Sequence, residues 1–169
     1  EEVTELARLG STAFALERRV VDLGAVVRAA AEEAVAAAPA HDVAVSVAPA
    51  LPRILADPDR IGQVVANLVG NAVKFWPSGG TVRVYVLAEG PMAEIVVVDR
   101  GPGIPEDQTQ RVFDPFVRVR TGSSVDVKGT GLGLAICRAI ATAHGGDIAY
   151  EPTPGGGATF RVRLPLGLP

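Results

Sequence analysis

Between Lys128 and Ala135 the chain reads Lys-Gly-Thr-Gly-Leu-Gly-Leu-Ala, and an apolar run of Ala135, Ile136, Cys137, Ala139 and Ile140 follows. Glycines at the start of a helix let the backbone turn steeply and approach a ligand closely. The first N–H groups of that helix lack internal acceptors, and with the helix dipole they suit a phosphate. Two familiar phosphate loops are excluded. No Gly-x-x-x-x-Gly-Lys-Ser/Thr occurs, so this is not a Walker-type loop. The spacing Gly129-x-Gly131-x-Gly133 is not Gly-x-Gly-x-x-Gly, and the polar stretch Thr121 to Lys128 before it is no strand, which removes a Rossmann turn. Alone, the stretch fits a surface loop ending in a helix equally well. Another nucleotide fold has to supply the rest of the site.

With 169 residues the chain holds one domain, or one domain and an appendage, and can bury a real core. Hydrophobic residues at 48% and charged residues at 21% are a globular balance. A net charge of −3 gives no reason to expect a nucleic-acid partner. The single Cys137, inside an apolar run, reads as a small core residue and builds no disulfide. No stretch approaches the roughly 18 apolar residues of a membrane span, and the acidic start Glu1-Glu2 is no signal peptide. These features fit a cytoplasmic domain, whether or not its parent is anchored in the plasma membrane.

Residues 1–17 read as the end of a helix, with Val3, Leu6, Leu9, Ala13 and Leu16 along one face. After a break at Val20 to Leu23, with Asp22 as N-cap, a second helix runs through Val26, Val27, Ala30 and Val35 and stops before Pro39. Val43 to Val47 alternates like a strand, and Arg53 to Ala56 is expected to be its short partner. Asp57-Pro58 then opens a third helix. Its apolar face is Ile61, Val64, Val65, Leu68, Ala72 and Phe75. Arg60, Gln63, Asn67, Asn71 and Lys74 fall in one stripe roughly 80° wide at 100° per residue. A solvated face would be broad and rich in Glu and Lys. This stripe is narrow and rich in amides, as expected of a pocket lining.

Beyond the turn Pro77 to Gly80, Thr81 to Ala88 and Ala93 to Val98 read as strands, the second apolar on both faces and therefore central. It ends at Asp99-Arg100-Gly101-Pro102-Gly103-Ile104-Pro105. The irregular stretch from Pro105 to Lys128, interrupted only by Val112 to Phe116, has the length of a lid or binding loop. Strands at Asp147 to Glu151 and Thr159 to Leu164 close the chain around the turn Pro154 to Gly157.

Four of these stretches together resemble one family. Asn67-Leu-Val-Gly-Asn71-Ala-Val-Lys74-Phe75 resembles the N box of sensor histidine kinases, and Asp99 to Pro105 their first glycine box. Phe113-Asp-Pro-Phe116 resembles the F box of the lid, and Gly129 to Ala135 the second glycine box. Their order and spacing are similar to the catalytic ATP-binding domain of that family, within the superfamily that includes gyrase, Hsp90 and MutL. The likeness spans residues 20–166. It implies an α+β, two-layer α/β sandwich (the Bergerat fold): a mixed sheet covered by three helices, with a mobile ATP lid.

The resemblance also implies roles. Asp99, at the end of a buried strand, accepts from the adenine amino group, while Gly101 and Gly103 leave room for the base and Ile104 packs on it. Asn71 is the implied Mg²⁺ ligand, and Asn67, one turn earlier, positions phosphates or the metal's water. Lys74 places a charge on phosphate, so Asn67 and Lys74 are the implied catalytic pair. Arg118 and Lys128 of the lid meet the β- and γ-phosphates. Gly129, Thr130, Gly131, Leu132, Gly133 and Leu134 form the phosphate loop, and Phe75 belongs to the ATP-binding set. Phe113 and Phe116 are expected chiefly to anchor the lid to the core, with Phe116 also counted beside the nucleotide. Trp76 stands where the family often has Thr or Ser, and Ala158 where a small hydroxyl residue is frequent.

Neither His41, in Pro39 to Asp42, nor His144, at a helix end, has the context of a phosphoacceptor. The acceptor is therefore expected outside this stretch, with residues 1–17 resembling the last turns of the dimerisation helix that carries it. The implied protein is a homodimer that binds ATP and Mg²⁺, phosphorylates its own histidine and passes the group to an aspartate of a response regulator. Two alternatives remain at this point: an anti-sigma-factor-type serine kinase of the same fold, and a non-catalytic nucleotide sensor.

Overall fold

The computed structural model describes residues 1–9, 15–120 and 129–167. Helices α1 (Glu2–Leu9), α2 (Leu23–Val35), α3 (Pro58–Phe75) and α4 (Gly133–Ala143) accompany strands β1 (Arg19–Val21), β2 (His41–Val47), β3 (Ile54–Ala56), β4 (Gly80–Glu89), β5 (Met92–Val98), β6 (Asp147–Pro152) and β7 (Ala158–Pro165). The main sheet has the order β2-β4-β5-β7-β6. Its β2–β4 pair is parallel and the others are antiparallel, so the sheet is mixed and β5 is central. No helix among the described residues is long and apolar enough to cross a membrane.

Alternation along the strands decides which face is covered. Val82, Val84 and Val86 of β4, Ala93, Ile95 and Val97 of β5, and Phe160, Val162 and Leu164 of β7 are buried. They meet Leu23, Val27 and Ala31 of α2, the apolar face of α3, and Ile136, Cys137, Ile140 and Ala141 of α4 in one core. The helices begin where expected. The Asp22 carboxylate accepts from Ala25 N–H at 3.0 Å, and that of Asp57 accepts from the N–H groups of Asp59 and Arg60. On the opposite face Glu94 is fully buried, flanked by Arg163 at 2.9 Å and by Arg161. Burial alone would raise the Glu94 pKa, but the two guanidiniums outweigh it and hold the carboxyl below its ordinary value.

Three expectations change. The strand at Ile54–Ala56 pairs antiparallel with β1, not with β2. Leu23, Ile54 and Ala56 are buried there, and Glu17 N–H bonds the Asp57 carboxylate at 2.9 Å, which draws this two-stranded ribbon to the start of α3. His41 opens β2 instead of lying in a loop. At the beginning of the chain α1 covers Glu2–Leu9 and residues 15–18 are not helical, while 10–14 lie outside the described residues.

Candidate nucleotide-binding site

The site grows from the end of β5. Asp99 continues the strand ladder, its N–H donating to Ala158 C=O at 2.9 Å. Its carboxylate Oδ1 accepts from Gly101 N–H at 2.9 Å and Ala158 N–H at 3.1 Å. Among the described residues Oδ2 receives no donor, so the carboxylate keeps acceptor capacity. Burial raises the Asp99 pKa, and the two backbone donors oppose that rise. A carboxylate held this way suits an amino group arriving in a place poor in water.

The surroundings are backbone against backbone. A Cβ on Gly101 would stand 3.0 Å from Phe75 C=O and 3.4 Å from Trp76 Cβ, so the end of α3 closes directly on the first glycine box. Gly157, at φ +114°, leaves no room for a side chain because the Asp99 carbonyl occupies that space. Thr153 donates to the same carbonyl at 3.3 Å and shares a 2.9 Å hydroxyl contact with Thr159. Ile104 N–H donates to the Tyr150 hydroxyl at 3.1 Å. Gly157, Thr153, Thr159 and Tyr150 were not singled out from the sequence. The run Gly155-Gly156-Gly157 before a strand was the available signal. Ala158 serves through its backbone N–H, which needs no hydroxyl side chain.

At the other end α3 meets the second glycine box. Asn67 donates its side-chain amide to Gly133 C=O at 3.3 Å, and the Lys74 amine lies against Gly129, in the space a side chain there would take. Lys74 also sits 5.7 Å from the Phe75 ring centroid. Asn71 is half-buried between Asn67 and Lys74 on the same stripe. Leu132 is fully buried, so this residue can offer a ligand only its backbone. Its N–H is held by the Thr130 hydroxyl at 3.3 Å. The stripe is nonetheless divided: Arg60 pairs with Glu5 of α1 at 2.5 Å and bonds Gln63 at 3.0 Å. Asn67 and Lys74 are the members that reach the glycine loop.

The two lid phenylalanines separate. Phe113 is 8% exposed and packs edge-on against Phe160 with centroids 6.1 Å apart, as an anchor should. Phe116 is 64% exposed, which overturns its expected anchoring in the core. Its backbone adopts φ +64°, turning the ring outward, and its N–H donates to Gly131 C=O at 3.0 Å. The lid is fastened there through backbone instead. Asp114 lies between Arg111 at 3.7 Å and Arg138 of α4 at 3.6 Å. Arg118 follows on the described part of the lid, and Lys128 lies outside the described residues.

The buried strand-end carboxylate, the amide-bearing helix and the two glycine boxes define an ATPase site of one kind. A family model described as histidine kinase-, DNA gyrase B-, and HSP90-like ATPase matches residues 56–168, and the chain belongs to that family. Within it the similarity is to sensor histidine kinases. Sensor histidine kinase RcsC of Escherichia coli K12 is 46% identical over 110 residues, which is 65% of this chain and 12% of that protein. Sensor-like histidine kinase SenX3 of Mycolicibacterium smegmatis is 36% identical over 165 residues, 97% of this chain and 43% of that protein. Full-length ShkA, solved in complex with AMPPNP, superposes with a TM-score of 0.83 at 34% identity, covering 99% of this chain and 35% of that one. The mycobacterial sensor histidine kinase MprB gives a TM-score of 0.77 at 31% identity, covering 87% of this chain and 97% of that one. This is the ATP-binding catalytic domain of the histidine kinase type.

Proposed function

We propose that this domain serves a sensor histidine kinase, binding Mg²⁺·ATP and delivering the γ-phosphoryl group to a histidine that is neither of its own two. The buried Asp99 carboxylate, with Oδ1 held by two backbone donors, carries the reading. Asp99 takes the adenine amino group, and Gly101 leaves the base its space. Lys74 and the first N–H groups of α4 neutralise and orient the phosphates. Arg118 and Lys128 of the lid complete that charge. The described residues hold no cluster of three or more His, Cys, Asp or Glu, so Mg²⁺ would come with the phosphates and use Asn71 as its protein oxygen. Bound there, the metal supplies charge neutralisation; the chain supplies position.

Both histidines are committed elsewhere. His41 donates Nε2–H to Trp76 C=O at 2.8 Å, and His144 bonds Ile140 C=O and Asp57 N–H. The acceptor is a histidine of the dimerisation helix, of which α1 is the end in this reading, and an aspartate of a response regulator takes the group next. The test is a calorimetric titration of adenosine and Mg²⁺·ATP into the wild type and Asp99→Asn. The variant should lose about 1.5–3 kcal/mol with both ligands, the scale of one buried charge-assisted hydrogen bond. Wild-type affinity in the variant would remove the adenine assignment.

A further inference from the structure

The phosphate end of this site is already in contact with a carboxylate. Glu2, in the first turn of α1, accepts a hydrogen bond from the Thr130 hydroxyl, although 128 residues separate them. The same hydroxyl accepts from Leu132 N–H at 3.3 Å. A chain of contacts thus runs from the α1 carboxylate through Thr130 to the start of α4. A second carboxylate fixes the helix: Glu5 pairs with Arg60 of α3 at 2.5 Å. Glu2 and Glu5 are three residues apart and share a helix face, and Leu6, beside them, packs against the core. One face of α1 therefore reaches the glycine loop with one acid and the amide stripe with the other.

A hydroxyl has one proton to give. With α1 docked, the proton of Thr130 goes to Glu2, and a negative charge stands where the phosphates of a nucleotide would come. We infer that α1 is a strap on the phosphate site, Glu2 holding Thr130 in place of a phosphate, so that nucleotide binding and α1 docking oppose each other. The inference rests on the reading of the glycine loop as the phosphate end. Because the coupling is mutual, nucleotide must loosen α1 as much as α1 weakens nucleotide. A helix upstream of the domain would then report, and respond to, the state of the site.

The experiment titrates Mg²⁺·ATP and adenosine into the 169-residue chain as wild type, Glu2→Ala and Glu5→Ala. Each variant should bind Mg²⁺·ATP about 2- to 5-fold tighter, the range of an exposed charge contact, with adenosine unchanged. The gain should shrink at high salt. Amide hydrogen exchange in α1 should quicken when Mg²⁺·ATP is added to the wild type. Unchanged Mg²⁺·ATP affinity in Glu2→Ala, an equal gain for adenosine, or exchange in α1 that slows would each overturn the strap. Asp99→Asn in the same series separates the two readings. If it weakens both ligands while Glu2→Ala changes nothing, only the strap falls; if it binds like the wild type, the pocket itself has been misread.

Discussion

The two ends of the site are built by opposite means. Around Asp99 backbone packs on backbone: the Asp99 carbonyl fills the space beside Gly157, and two N–H groups converge on one carboxylate oxygen. Around Thr130 exposed side chains bridge separate elements, with Glu2 on the hydroxyl, Lys74 against Gly129, and Phe116 turned outward at positive φ. The first arrangement has one solution, because a backbone cannot yield without moving a strand. The second has several, because exposed side chains reorient at little cost. A base is recognised by shape and by hydrogen bonds where water competes poorly, which calls for the first kind. Phosphates have to enter, react and leave, which calls for the second.

The most severe way to break this comparison is Gly157→Ala. The new methyl would meet the Asp99 carbonyl in a conformation that L side chains rarely adopt. Overpacking against fixed backbone and the left-handed backbone together should cost about 3 kcal/mol in denaturant unfolding. Gly156→Ala is the control: φ is +110° but nothing lies within 4 Å of its Cβ position, so only the backbone part, about 1–2 kcal/mol, should be lost. Equal losses at the two positions would show that the Asp99 end is not rigid.

A smaller effect, confined to the open end, is expected of Asn71→Asp. An added carboxylate beside the phosphates should weaken Mg²⁺·ATP by about 1.5 kcal/mol and leave adenosine untouched, both read by calorimetry. Equal effects on the two ligands would remove the metal role of Asn71 and blur the division between the ends.

What the sequence made legible was local. The caps Asp22 and Asp57 and the central place of β5 follow from spacing along one element and appear as expected, whereas the α3 stripe divides, Arg60 pairing with Glu5 of α1. What escaped depends on partners far along the chain. Two three-residue strands, β1 and β3, have too little pattern to declare that they pair with each other. Glu94, in a strand read as apolar on both faces, is buried only because Arg161 and Arg163 arrive from β7. Gly157 reads as one more turn glycine until the Asp99 carbonyl is placed beside it. Phe116 was expected, from the lid motif, to anchor in the core, and it stands exposed with its backbone at φ +64°. Within the site, the motifs named Asp99, Asn67 and Lys74, which the fold sets against the two glycine boxes, but not the supports Tyr150 and Thr153.

The contrast also runs along α4, whose first turn faces the open end and whose last is locked. His144, at its C-terminus, donates Nδ1–H to Ile140 C=O at 2.8 Å and accepts from Asp57 N–H through Nε2 at 3.0 Å. Arg18 donates to the neighbouring Ala143 C=O at 2.6 Å. The Asp57 bond requires the neutral ring, because a protonated Nε2 cannot accept, whereas Nδ1–H can donate to Ile140 in either form. Burial, assisted by Arg18, lowers the His144 pKa from its ordinary 6.5, against the opposing pull of Ile140 and Asp57. Between the folded and unfolded values the unfolded chain binds more protons, so stability rises with pH across that window. Acidification should therefore begin to destabilise the fold as the pH falls through 6.5, by about 1 kcal/mol, the scale of the one hydrogen bond lost. Thermal melts of the wild type and His144→Gln should differ in pH dependence over that interval and run parallel above it. Adenosine affinity should be alike in the two proteins above the window, since the locked end of α4 is remote from Asp99 in the bonding scheme. A change in adenosine affinity that tracked the His144 titration would mean that the C-terminus of α4 is coupled to the Asp99 end.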